Sequence, residues 1–124
     1  MKKPVDDFEE ATTTESQVGV LFERRKAQPP ALEQVDGPGS PRKILLEAEK
    51  VVVGRSGDAD IQVDSAKVSR SHALLRRQGN EVSCVDLESR NGVYLNGVKI
   101  HSATLRQGDT LQLGDAVFLF HEGT

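Results

Sequence analysis

A rhythm of short apolar runs, broken by turn-forming pairs, restricts the fold of this chain more than any other feature. From Arg42 onward the runs are "KILLEA" (43–48), "KVVVG" (50–54), "DIQV" (60–63), "HALLRR" (72–77), "VSCVDL" (82–87), "VYL" (93–95), "VKI" (98–100), "DTLQLG" (109–114) and "AVFLFH" (116–121). None is long enough, or spaced suitably, for an amphipathic helix, and all have the length of strands. Gly79-Asn80, Asn96-Gly97 and Gly114-Asp115 fall between successive runs. Gly and Asn tolerate the positive φ of two-residue hairpin turns, so these pairs predict three hairpins. In "DTLQLG", Leu111 and Leu113 alternate with Thr110 and Gln112, as in a strand with one face on a core and one in water. "AVFLFH" lacks that alternation and is expected to be buried on both faces. The expected fold is all-β, a sandwich of two antiparallel sheets whose functional surface is the loops at one end.

Upstream of this rhythm the chain changes character. Residues 1 to 41 gather Thr, Glu, Asp, Gln and Pro without sustained periodicity and read as a flexible, acidic, Thr-rich tail and linker. "VGVLFERRK" (18–26) stands out, with Val18, Val20, Leu21 and Phe22 beside three cations. It reads as a short helix, a docking strand or a stretch of apolar coil. "GPGSP" (37–41) is a breaker cluster suited to a linker. The domain is therefore expected over 42–122, with 123–124 as a C-terminal end. At 124 residues there is room for one sizeable core.

Charge and composition remove several function classes. Residues 1–40 carry five Lys/Arg against eight Asp/Glu, leaving eleven of each for 41–124. A neutral core with 4% aromatic residues lacks the basic field and stacking rings of nucleic-acid binders. The single cysteine, Cys84, has no partner for an intramolecular disulfide, and its apolar neighbours Val82, Val85 and Leu87 suggest a packed thiol. Met1-Lys2-Lys3 is followed by Pro4-Val5-Asp6-Asp7 and not by an apolar stretch, so a secretory signal is not expected. No window has membrane-spanning length, and the expected location is cytoplasmic. His72, His101 and His121 have no metal-ligand spacing, and no nucleotide-binding glycine motif occurs. Neither metal nor cofactor is expected.

The unusual residues lie in four predicted loops, "GRSGDAD" (54–60), "SAKVSRSH" (65–72), "LESRNG" (87–92) and "LNG" (95–97). Gly54-Arg55, Ser69-x-x-His72, Ser89-Arg90-Asn91-Gly92 and Asn96-Gly97 occur in an order and at spacings that resemble the forkhead-associated (FHA) domain. The resemblance covers about residues 42 to 122. It implies a β-sandwich that binds phosphothreonine peptides. A phosphothreonine carries nearly two negative charges and three acceptor oxygens, so its receptor needs a cation and neutral donors. By resemblance Arg55 contacts the phosphopeptide directly, and a guanidinium supplies a charged donor fork that lysine lacks. Without the resemblance, Arg55 would read as a surface cation paired with Asp58 or Asp60.

The resemblance makes Ser69 a phosphate-contacting hydroxyl and Arg70 its variable neighbour, and makes Asn91 a hydrogen-bonding partner of the peptide backbone. Lys67 falls where some members carry a cation that reads an acidic side chain three positions after the phosphothreonine. Arg90 departs from the Ser or Thr common at its position, which leaves a reach to an acidic peptide residue or a solvated loop cation. Gly54, His72, Asn96 and Gly97 are assigned to structural support. Arg76 and Arg77 read as ordinary strand cations. A nucleophilic Ser69 with His72 as base is the catalytic alternative. It lacks the strained Gly-x-Ser-x-Gly elbow of hydrolases, and the chain is not expected to be an enzyme.

"DDFEEATTTESQ" (6–17) sets Thr12, Thr13 and Thr14 among Asp6, Asp7, Glu9, Glu10 and Glu15. It resembles, in part, the tails of small bacterial FHA regulators, which a Ser/Thr protein kinase phosphorylates and which then bind their own domain. The Thr-Thr-Ser-Val-Phe-Arg continuation of those tails is missing. The partners implied are a phosphothreonine protein or peptide, a Ser/Thr protein kinase and the chain's own tail. A phosphate-independent interaction domain is the alternative function.

Overall fold

The computed structural model describes residues 27 to 124. The expected tail threonines and the "VGVLFERRK" patch lie outside the described residues. Eleven strands form, in chain order β1 (Ala31–Asp36), β2 (Arg42–Leu45), β3 (Lys50–Gly54), β4 (Ile61–Gln62), β5 (Ala73–Gln78), β6 (Glu81–Asp86), β7 (Val93–Leu95), β8 (Val98–Ile100), β9 (Ser102–Thr104), β10 (Thr110–Leu113) and β11 (Ala116–His121). They make a five-stranded sheet, β9-β6-β5-β3-β4, and a six-stranded sheet, β2-β1-β11-β10-β7-β8. All pairings are antiparallel except β3 with β4, which is parallel.

The three expected hairpins form. Gly79-Asn80 joins β5 to β6, Asn96-Gly97 joins β7 to β8 and Gly114-Asp115 joins β10 to β11. At Asn96 and Gly97 φ is 50° and 84°, the left-handed pair of a turn whose twist matches that of the flanking strands. The core lies between the sheets. Val51, Val53, Ala73, Leu75, Val82 and Cys84 from one sheet share a single buried cluster with Leu32, Val93, Leu111, Leu113, Phe118 and Phe120 from the other. Full burial of each Phe or Leu contributes about 1.5–3 kcal/mol before the entropy of ordering is subtracted. Burial, helped by nearby Asp86, pushes the Cys84 thiol up to about 12, so it packs as an uncharged small hydrophobe.

Two expectations need correction. Ala31–Asp36, inside the stretch read as tail, is a strand between β2 and β11, so the folded unit begins upstream of Arg42. "GPGSP" is the tight connection between β1 and β2, closed by a bond from Ser40 N to Gly37 O of 3.1 Å. The C-terminal end is also tied in, because Thr124 N donates to Gln28 O at 3.0 Å and Gln28 N to Thr124 Oγ1 at 2.9 Å. The second correction concerns β11. Ala116, Phe118 and Phe120 are buried, whereas Val117, Leu119 and His121 are half-buried. The strand sits inside the six-stranded sheet, and among the described residues no further layer covers that sheet's outer face.

Candidate functional site

Three of the four loops singled out in the sequence, 54–60, 65–72 and 87–92, meet at the end of the sandwich where β3 finishes. Gly54 ends β3, and a Cβ there would overlap the carbonyl oxygen of Arg70. The missing side chain lets the 54–60 and 65–72 loops join backbone to backbone. Arg55 N donates to Ser69 O at 2.9 Å and Ser56 N to Arg70 O at 3.2 Å. The Arg55 side chain is exposed, and its Nε donates to Val68 O at 3.0 Å. One donor of the guanidinium is thus spent on aiming the group. Among the described residues, neither terminal amino group is engaged.

His72 is fully buried and links this pair of loops to the third. Its Nε2 lies 2.8 Å from Gly92 O, which can only accept, so Nε2 carries the proton. Its Nδ1 is then free to accept the Ser69 amide at 3.0 Å. Both ring nitrogens are committed to backbone, and neither serves the Ser69 hydroxyl. The Ser69–His72 nucleophile and base arrangement is not formed. Ser69 Oγ instead accepts the Arg90 amide at 2.9 Å, which leaves its own proton available to an acceptor from solution.

The 87–92 loop is braced from within. Ser89 N donates to Asp86 Oδ1 at 3.1 Å, and Ser89 Oγ accepts the Gly92 amide at 2.9 Å. Glu88 and Gly92 take φ of 57° and 83° in this tight excursion. Asn91 reaches back to the 65–72 loop, its Nδ2 donating to Lys67 O at 2.7 Å. Among the described residues, one amide N–H and the carbonyl oxygen of the Asn91 side chain are not engaged. Asn96 and Gly97 stand apart as the β7–β8 turn. Asn96 also clasps the loop before β10, with Nδ2 on Asp109 Oδ1 at 3.0 Å and Oδ1 accepting Thr110 N at 2.9 Å.

Arg55, Lys67, Ser69, Arg70, Arg90 and Asn91 line one open cleft of about 310 Å³, together with Ala66, Val68 and Ser71. Among the described residues no acidic side chain lines it. An adjoining groove of about 390 Å³ shares Lys67 and Asn91 and adds Tyr94, Gly97, Gln112 and Gly114. A larger depression of about 650 Å³ lies at the other end of β3, but its Lys50, Arg76 and Arg77 are set among Glu47, Glu49 and Glu81. Volume favours that depression; charge decides for the smaller cleft, since an anion needs donors without competing carboxylates. Arg77 is spent on structure there, with Nη1 on Leu46 O at 2.8 Å and Nε on Gly79 O at 2.6 Å.

Several supporting residues carried no signal in the sequence. Gln62 Nε2 donates to Arg55 O at 3.1 Å, and Ser65 Oγ accepts the Lys67 amide at 3.1 Å. Gly114 lets the β10–β11 turn approach Lys67, whose carbonyl oxygen would stand 2.8 Å from an added Cβ. Gly114 was legible only as a turn former. Among the described residues no cluster of three or more His, Cys, Asp or Glu is disposed to hold a metal ion. Nor is any helix long and apolar enough to cross a membrane.

A two-sheet sandwich that gathers cations, a hydroxyl and an amide in the loops at one end defines a class of anion-reading interaction domains. The FHA domain model matches residues 51–114, and the chain belongs to the FHA domain family. It is 39% identical over 88 residues to the oxoglutarate dehydrogenase inhibitor of Corynebacterium jeikeium, covering 71% of this chain and 61% of that protein. It is 39% identical over 87 residues to the glycogen accumulation regulator GarA of Mycolicibacterium smegmatis, covering 70% of this chain and 55% of that protein. The chain thus spans a little over half the length of these relatives. A solved structure concerned with phosphothreonine-dependent FHA domain interactions superposes with a TM-score of 0.70 at 29% identity, covering 74% of this chain and 94% of that one.

Proposed function

We propose that this chain is a non-catalytic, phosphothreonine-dependent protein-binding module in Ser/Thr kinase signalling. The observation that carries the reading is the cleft, lined by no acidic side chain among the described residues, where an oriented Arg55, the hydroxyl of Ser69 and the amide of Asn91 converge. A phosphate dianion would accept from the guanidinium and the hydroxyl, and Asn91 would hold the peptide backbone beside it. The adjoining groove receives the residues that follow, with Lys67 at the junction.

The test is a titration of matched Thr, phosphoserine and phosphothreonine peptides against the wild type and Arg55→Ala. Only the phosphothreonine peptide is expected to bind tightly, with a loss of about 2–4 kcal/mol in Arg55→Ala, as for a truncated charge-assisted pair. Equal binding of modified and unmodified peptides would instead identify a phosphate-independent interaction domain.

The chain's own tail is a second ligand of the same site in this reading. Thr14 precedes Ala31 by 17 residues. A random coil of that length spans roughly 23 Å. β1 runs toward the site end of the sandwich, so Ala31 starts about one six-residue strand, roughly 20 Å, away from it. Tethering would present a phosphorylated Thr12, Thr13 or Thr14 at an effective concentration of order millimolar. Of these, Thr12 has an acidic residue, Glu15, three positions later. NMR shifts of the Arg55 and Ser69 loops are expected to move when the tail is phosphorylated; unmoved loops at high phosphate occupancy would reject self-binding.

A further inference from the structure

The cleft holds more positive charge than one phosphate can use. Arg55, Lys67, Arg70 and Arg90 all line it and all are exposed, and among the described residues none of the four is in an ion pair. A single phosphothreonine brings at most about two negative charges. Once it is seated, about two cations remain uncompensated in a space no wider than the Debye length of about 8 Å at physiological salt, so water and ions screen them from one another only in part.

Backbone geometry divides the four into two flanks. Arg55 and Arg70 belong to the junction of the 54–60 and 65–72 loops, through Arg55 Nε on Val68 O and Ser56 N on Arg70 O. Arg90 and Lys67 belong to the other flank, through the Arg90 amide on Ser69 Oγ and Asn91 Nδ2 on Lys67 O. Ser69 stands between them. A cleft of about 310 Å³ is roughly 8 Å across if compact. Residues i and i+2 of an extended peptide point to the same side about 7 Å apart, whereas i and i+1 point to opposite sides.

We propose that the cleft takes two phosphates from one ligand, a peptide phosphorylated on two threonines separated by one residue. One phosphate sits on Arg55, Arg70 and Ser69, the other on Arg90 and Lys67. This rests on the reading of the site as a phosphothreonine receptor, and it specifies the ligand that such a receptor selects. Thr12 and Thr14 have the required spacing in this chain.

The test uses synthetic peptides of one neutral sequence titrated into the full chain. They carry phosphothreonine at the first position, at the third, at both, at two adjacent positions, or phosphothreonine followed two residues later by Glu. The i, i+2 doubly phosphorylated peptide is expected to bind about tenfold or more tighter than the better singly phosphorylated one, because a second charge-assisted contact forms. The adjacent pair is expected to show a smaller gain. Arg90→Ala should shrink the gain several-fold, whereas Arg106→Ala, an exposed cation outside the cleft, should preserve it. The fold of Arg90→Ala is checked by its amide NMR spectrum. Affinities within twofold for singly and doubly phosphorylated peptides would overturn the proposal while sparing the phosphothreonine reading. So would a Glu peptide that matches the doubly phosphorylated one, or a gain that survives Arg90→Ala. Failure of every phosphopeptide would overturn both.

Discussion

At Gly54 the backbone of one loop passes so close to Arg70 that a methyl group would overlap the Arg70 carbonyl oxygen. The next residue, Arg55, takes its position from the same contact, since its amide and its Nε bond to Ser69 O and Val68 O. Gly54→Ala is therefore expected to push the loops apart. It should cost about 1–3 kcal/mol of stability, as overpacking does, and weaken phosphopeptide binding at the same time. Denaturant unfolding with an unchanged slope, together with one titration, checks both; a variant that keeps wild-type stability and affinity would show that the approach is not constraining. His72 makes the complementary point. Serine three residues before histidine is compatible with a nucleophile and its base, and the spacing alone leaves that open. The ring's commitments to the Ser69 amide and Gly92 carbonyl remove the base and leave a brace.

Among the elements, β1 carries the clearest lesson. Its inward positions are Leu32 and Gln34, so "ALEQVD" shows no apolar alternation and reads as tail. Gln34 is tolerated in the core because every demand of its amide is met. Nε2 donates to Asp36 O at 3.0 Å and Pro38 O at 2.8 Å, and Oε1 accepts Arg42 Nε at 2.6 Å. β1 also carries the register of its neighbours, pairing Leu32 with Ile44 of β2 and with Phe120 of β11. A fragment of residues 42–124 would leave β2 without a partner and part of the core open. It is expected to lose cooperative unfolding and amide-shift dispersion in NMR, while a fragment of 27–124 retains both. A cooperatively folded 42–124 fragment would show that β1 is dispensable. β9 escaped notice for a related reason: "SAT" has almost no apolar content, and its strand state comes from pairing Ser102, Ala103 and Thr104 with Val85, Cys84 and Ser83.

For the molecule as a whole, the sandwich decides which charges meet. Chain order separates Arg55 from Arg90 by 35 residues, yet both reach one cleft because β3, β5 and β6 lie side by side and deliver their loops to a common end. The two sheets are also joined by a polar chain. Arg42, at the start of β2, donates from its second amino group to Gln62 O at 2.7 Å, and Gln62 Nε2 donates to Arg55 O. Through these bonds the buried Gln34 of one sheet is connected with the Arg55 loop of the other. Arg76 and Arg77, as basic as the site arginines, are carried by β5 to the opposite end among carboxylates.

What the sequence determined by itself was local or motif-borne. Strand length, the three two-residue turns and the group of candidate loop residues were all legible, because turn chemistry and short-range periodicity need no partner to act. Tertiary structure alone decided whatever depends on a distant neighbour. That includes the strand state of β1 and β9, the one-sided burial of β11, the tautomer and bracing role of His72, and the placing of four cations in one cleft. Each is set by what packs or hydrogen-bonds from another part of the chain, and no pattern within a strand or a loop records who that neighbour will be.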